Sequence, residues 1–203
     1  MLSLRVRPVL ARVVDPVAAA LLRAGVSPDA ITVLGTLGVV SGSLALFPRG
    51  ELFVGTMVVT AFVLTDMLDG AMARRLPRRS VFGAWLDSTC DRLADAAVFS
   101  GLVLWFMGDG DDALLAGVAL FCLVTGSLVS YAKARAEGLG LTCNVGFAER
   151  AERLIIVLVG AGLSGLGLSW ALPVGLWALA VASVVTVVQR TLEVRRQAAA
   201  AVR

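Results

Sequence analysis

DMLDGAMARRLPRRSVFGAWLDSTCDRLAD, residues 66–95, sets five aspartates into a chain that is otherwise strongly apolar. Of its 203 residues, 58% are hydrophobic and 16% charged, and the mean hydropathy is +0.87. That composition lies outside the range of soluble domains, and apolar stretches long enough to cross a bilayer as helices recur along the chain. They lack the every-second-residue polar alternation of membrane β-barrel strands. The expected fold is all-α: a polytopic membrane protein with six transmembrane helices at 28–47, 52–74, 81–106, 113–136, 148–168 and 171–192. Why such helices should carry Asp66, Asp69, Asp87 and Asp91 is the question that decides the function.

Residues 3–23 read as an amphipathic helix lying in the membrane interface, because Arg5, Arg7, Arg12 and Asp15 interrupt apolar positions at helical spacing. Arginines gather in alternate loops, around Arg74–Arg79, Arg135–Arg153 and Arg190–Arg196, whereas FPRGE (47–51), GDGDD (108–112) and GLGLS (165–169) hold one between them. The positive-inside rule then places both termini and the arginine-rich loops in the cytoplasm of a multi-pass cell-membrane protein. No linker divides the chain, so residues 1–203 form one expected domain: interfacial helix 3–23, six-helix bundle 28–192 and cytoplasmic tail 193–203. A net charge of +3 spread over loops leaves no solvated basic domain, which excludes a nucleic-acid partner. Cys90, Cys122 and Cys143 fit neither a disulfide framework nor a metal spacing, and the absence of histidine removes the usual general base and zinc ligand. The stretches GTLGVVSGS (35–43) and GAGLSGLG (160–167) are expected to be close helix-packing surfaces.

Asp66 and Asp69 are three apart and Asp87 and Asp91 four apart, so each pair shares one face of its helix. The basic turn from Arg75 to Ser80 joins the two helices as an antiparallel hairpin near the cytoplasmic surface, and Gly70, Ala73 and Gly83 let the backbones approach. Each charge costs roughly 2.5–3.5 kcal/mol at the centre of a membrane helix, and four like charges also repel at short range. Arg74 can neutralise one. The rest call for hard divalent cations with oxygen ligands, magnesium or manganese, and two such ions would balance four carboxylates. Two metals beside an arginine form a clamp for a phosphoryl or pyrophosphoryl group. Asp95 is read as structural, Arg92 as pointing away from Asp91 and pairing locally, and Asp109, Asp111 and Asp112 as a solvated turn.

The stretch has the pattern D66-xx-D69-G70-xx-A73-R74-x8-G83-xxx-D87-xxx-D91. At all eight fixed positions, over 26 residues, it resembles the signature of the CDP-alcohol phosphotransferases. That resemblance implies a homodimer of six-helix subunits, each with a lipid-accessible cavity facing the cytoplasm and a dinuclear magnesium site. It also implies roles: Asp66, Asp69, Asp87 and Asp91 as metal ligands, Asp91 also as the base that deprotonates the attacking hydroxyl, and Gly70 and Arg74 as contacts to the CDP moiety.

The family divides by acceptor alcohol. SPDAIT (27–32), YAKARAEGLGL (131–141) and GFAERAERLIIVLVGAGL (146–163) resemble the actinobacterial-type phosphatidylinositol phosphate synthases. This likeness implies CDP-diacylglycerol as donor, held also by Asp29, Ala30, Ile31, Thr32 and Ser80, and 1D-myo-inositol 3-phosphate as acceptor. Lys133, the single lysine among 18 basic residues, flanks one cytoplasmic turn with Arg150 and Arg153, and Arg190 ends the last span. These four are expected to form a basic pocket for the acceptor's phosphate, where arginine can grip it bidentately. Two other readings are weighed: a phosphatidylglycerophosphate synthase using glycerol 3-phosphate, and a cation transporter, whose acids would be spread through the membrane depth.

Overall fold

The computed structural model describes residues 14–76 and 80–201. Among these the chain is helical, with no strand. A helix over residues 14–23 (α1) is followed by α2 (Pro28–Leu46), a 3-10 turn (Phe47–Arg49), α3 (Leu52–Val63) and α4 (Asp66–Arg75). Then come α5 (Val81–Met107), α6 (Ala113–Glu137), α7 (Arg150–Gly165) and α8 (Ala171–Ala201). All six segments expected to cross a membrane are therefore helical. Among the described residues, four spans are long and apolar enough to do so by length and composition: Pro28–Arg49, Leu52–Arg75, Ala113–Glu137 and Ala171–Ala200. α5 is long but carries Asp87, Asp91, Arg92 and Asp95, and α7 has only 16 residues. The chain is an integral membrane protein.

The backbone departs from the expected spans in three places. The second is broken: Leu64 and Thr65 form a turn between α3 and α4, and the Thr65 hydroxyl donates to the Phe62 carbonyl at 2.6 Å. A threonine back-bonded in this way bends a helix. The last helix runs on to Ala201, so the segment expected as a tail is helical over most of its length, and Gln197 Nε2 donates to the Thr142 carbonyl at 2.6 Å. The acidic turn at 108–112, expected to be external, is also more than solvated loop, because Asp112 caps α6 by accepting from Leu115 N at 2.9 Å.

The residues fall into two compact units, residues 1–42 with 58–94, and residues 43–57 with 95–203. In the first, α1 docks through Ala18 on Ala71 and Met72 of α4, with Val14, Leu21, Leu22, Val26 and Ile31 around them. The apolar face of α1 is thus turned to protein; residues 3–13 of the expected interfacial helix lie outside the described residues. Gly35, Gly38 and Gly42 form a stripe on α2 against Thr65, Phe62 and Val58, so close that a Cβ on any of them would press on those side chains. In the second unit α6, α7 and α8 pack on one another. Gly160 abuts the Leu172 backbone and Gly165 that of Phe53. Both glycine-rich stretches are packing surfaces. Cys90, Cys122 and Cys143 are free thiols, the latter two buried.

Two helical glycines give opposite expectations. A Cβ on Gly101 would lie 2.5 Å from the Ser43 carbonyl oxygen, whereas one on Gly117 would meet nothing within 4 Å. Gly101→Ala should lower stability by about 1–3 kcal/mol, and Gly117→Ala should leave it unchanged or raise it by up to about 1 kcal/mol. Thermal unfolding of the two variants in detergent checks the contrast.

Candidate active site

In the first unit, three carboxylates converge. One oxygen each from Asp66, Asp69 and Asp87 lies within 4.8 Å of the other two. The break at residues 64–65 explains half of this, because it starts a new helix at Asp66 and puts Asp66 and Asp69 in its first turn. There the helix dipole favours negative charge by a few tenths to about 1 kcal/mol each. Asp69 is buried, and the Thr32 hydroxyl, which has one proton to give, lies 2.5 Å from Asp69 Oδ2 and 3.2 Å from the Pro28 carbonyl. The shorter, charge-assisted bond takes that proton. Asp91, one turn beyond Asp87 on α5, is not in the set of three; its Oδ2 lies 3.7 Å from Arg92 Nη2, so Arg92 turns toward Asp91 rather than away.

These acids open on a cavity of about 470 Å³. Its lining includes Asp29, Thr32, Gly70, Arg74 and Ser80 beside the three carboxylates. Gly70 serves openness rather than helix contact, since a Cβ there would meet only Arg74 Nη1, at 3.4 Å. Gly83 does admit a close approach, with Asp29 Oδ1 3.0 Å from where its Cβ would be. Ser80 Oγ accepts from Gly83 N at 2.9 Å as an N-cap of α5, and its own proton can still donate into the cavity. Ala30 and Ile31 do not line the cavity: Ala30 N donates to Ser27 Oγ at 3.2 Å, and Ile31 packs against the Ala18–Ala71–Met72 cluster.

In the second unit the four expected cations lie among two acids. Arg153, 1% exposed, donates to Asp95 Oδ2 at 2.5 Å and to the Ala148 carbonyl at 3.2 Å. Gly126 makes room for it, as a Cβ there would lie 2.9 Å from Arg153 Nε. Arg150 Nε is 3.7 Å from Asp95 Oδ1. Arg190, 2% exposed, donates to the carbonyls of Val145 and Val129 and, at 3.1 Å, to Glu149 Oε1. Lys133 Nζ lies 4.0 Å from the same Glu149 oxygen.

A family profile for CDP-alcohol phosphatidyltransferase matches residues 25–188. The chain belongs to the CDP-alcohol phosphatidyltransferase family. Relatives of this phosphatidyltransferase include the phosphatidylinositol phosphate synthases of Streptomyces avermitilis, 52% identical over 99% of this chain and 85% of the relative, and Mycobacterium tuberculosis, 54% identical over 91% and 86%. The crystal structure of the M. tuberculosis enzyme with CDP-DAG bound superposes with a TM-score of 0.87 over 91% of this chain and 94% of that one. Its complex with manganese and citrate gives 0.85 over 89% and 88%.

The donor set of this phosphatidyltransferase suits a hard divalent ion: three carboxylate oxygens close enough to share one coordination sphere, with no sulfur or nitrogen among them. Sequence reasoning missed the partners of Asp95 and Glu149, because these contacts join residues 58 and 41 positions apart. Asp95→Ala would strand a buried guanidinium and should cost about 3–5 kcal/mol, whereas Asp95→Ala with Arg153→Met should recover most of that loss. A double-mutant cycle of thermal stability in detergent measures both.

Proposed function

We propose that this phosphatidyltransferase moves the phosphatidyl group of CDP-diacylglycerol onto 1D-myo-inositol 3-phosphate, giving phosphatidylinositol phosphate and CMP. The observation that carries this reading is the convergence of three carboxylates with Arg74 and Thr32 around one cavity. Its support comes from relatives of about half-identical sequence that bear the synthase name.

In this reading Asp66, Asp69, Asp87 and Asp91 hold two magnesium ions per subunit, with manganese as a substitute. Bound there, the ions would supply charge neutralisation for the pyrophosphate and for the departing CMP. Arg74 grips the pyrophosphate, and Gly70 keeps its approach open. Asp29, Thr32 and Ser80 orient the nucleotide, with Ala30 and Ile31 shaping the backbone that carries them. The acceptor hydroxyl attacks the β-phosphorus in line, its proton passes to Asp91, and the bond from that phosphorus to the CMP oxygen breaks. Lys133, Arg150, Arg153 and Arg190 neutralise the acceptor's phosphate. The whole chain acts as one membrane domain of six spans and an interfacial N-terminal helix. It works as a homodimer in the cell membrane with its active site toward the cytoplasm.

Purified protein with CDP-diacylglycerol and magnesium should release CMP on addition of inositol 3-phosphate, and not with glycerol 3-phosphate; the reverse outcome would make it a phosphatidylglycerophosphate synthase. Chelation should abolish turnover and manganese restore it. Asp66→Asn, Asp69→Asn, Asp87→Asn and Asp91→Asn should each lower kcat on the order of 10²-fold or more. Lys133→Ala should raise KM for inositol phosphate more than for CDP-diacylglycerol, and equal effects on both would remove it from the acceptor site.

A further inference from the structure

Glu149 stands at the N-cap of α7, yet its side chain makes no capping bond. Caps are usually Ser, Thr, Asp or Asn, whose short side chains reach the helix's own N–H groups. Glu149 instead sends one carboxylate oxygen to two cations, 3.1 Å from Arg190 Nη2 on α8 and 4.0 Å from Lys133 Nζ on α6. The backbone beneath it is fixed. Thr186 Oγ1 accepts from Phe147 N at 3.2 Å and Ala148 N at 3.1 Å, and Gly146, at φ +128°, leaves the space that the Thr186 methyl fills. Arg190 is anchored as well, by the Val145 and Val129 carbonyls, and cannot follow a ligand outward. The Glu149 side chain, 49% exposed, can leave.

We propose that Glu149 is a specificity-determining residue: an internal anion that occupies Lys133 and Arg190 until the phosphate of the acceptor displaces it. This rests on the phosphorylated acceptor and cation pocket proposed above. The local contacts favour the exchange. At Lys133 and Arg190 a phosphate entering beside Glu149 would compete with its carboxylate for the same N–H groups and bring like charges into contact. With Glu149 turned into water, that competition and repulsion are removed. An uncharged polyol offers these cations nothing to replace the carboxylate, and is refused. A phosphorylated one replaces it fully.

The test is Glu149→Gln, which keeps the size and an oxygen for Arg190 but removes the charge. With CDP-diacylglycerol and magnesium, KM for inositol 3-phosphate should fall ~3–10-fold, the effect of deleting one nearby like charge in a partly screened site. The inhibition constant for inorganic phosphate should fall with it, by more than any change in KM for CDP-diacylglycerol. Glu149→Ala, which also lacks the charge, should shift both constants the same way. An unchanged or raised KM for the phosphorylated acceptor in both variants would overturn the proposal, assigning Glu149 to holding its cations in place. Failure of the inositol reading is distinct: the wild type would then release CMP with glycerol 3-phosphate alone, and the Glu149 effect would be read on that substrate.

Discussion

Charge withdrawn from water must be met by other charge or by hydrogen bonds, and that constraint organises both units of this chain. The second unit meets it internally. Arg153 is matched by Asp95, and Arg190 by two carbonyls and Glu149, so that side chains buried almost completely still have acceptors for their N–H groups. These contacts contribute little net stability compared with apolar packing, but they tie α6, α7, α8 and the turn before α7 into one arrangement. The first unit gathers three acids at one place. Asp66, Asp69 and Asp87 come within 4.8 Å of one another, with the Thr32 hydroxyl donating to Asp69 and Arg74 lining the same cavity. Bringing like charges together is unfavourable until a divalent cation reverses the sign of the interaction. The geometry suits a hard divalent ion, whereas the arginine–carboxylate contacts of the second unit join elements far apart in the chain.

The local backbone is bent just before that cluster of acids. An unbroken helix from Leu52 to Arg75 would have placed Asp66 and Asp69 mid-helix, far from either end of the helix dipole. The turn at Leu64–Thr65 interrupts it one residue before the first acid. Asp66 and Asp69 then stand at the positive end of a short helix, and Arg74 and Arg75 at its negative end. Ten residues thus carry acids and bases at the ends that the dipole favours, and the cavity opens beside the acidic end.

What the sequence made legible was local. Acids three and four apart must share a helix face, a 19-to-31-residue apolar helix declares itself by composition, and glycine stripes announce close packing. Each reading needs only a period and a helix. What stayed hidden was set by contacts across the chain. Asp95 gave no sign of Arg153, and nothing in SPDAIT says that Ile31 faces a core cluster while Asp29 and Thr32, one turn apart, face a cavity. The break at Thr65 was hidden for another reason: threonine in an apolar run is ordinary, and its bond to Phe62 shows only once the helix is built. Arg92 turned toward Asp91 although adjacent helical residues diverge, because a guanidinium on a long flexible stem can bend back where a Cβ direction cannot.

On the proposed reaction, the two anionic substrates would be held by different chemistry, and the difference has a cause. Charge on the donor's pyrophosphate changes during transfer, since the bond to CMP breaks and negative charge builds on the leaving oxygen. Groups that bind this developing charge more strongly than the starting state lower the barrier, which suits hard ions held by carboxylates. The acceptor's phosphate takes no part in bond making, and its charge is the same before and after. Stronger grip there would lower KM without raising kcat, and would hold the product as firmly as the substrate. Lysine and arginine would suffice for that task, and on the proposed role of Glu149 a carboxylate beside them would weaken the grip enough to let the product go. An acidic residue among the cations of an anion site is then no contradiction: it sets how much negative charge a ligand must bring to stay.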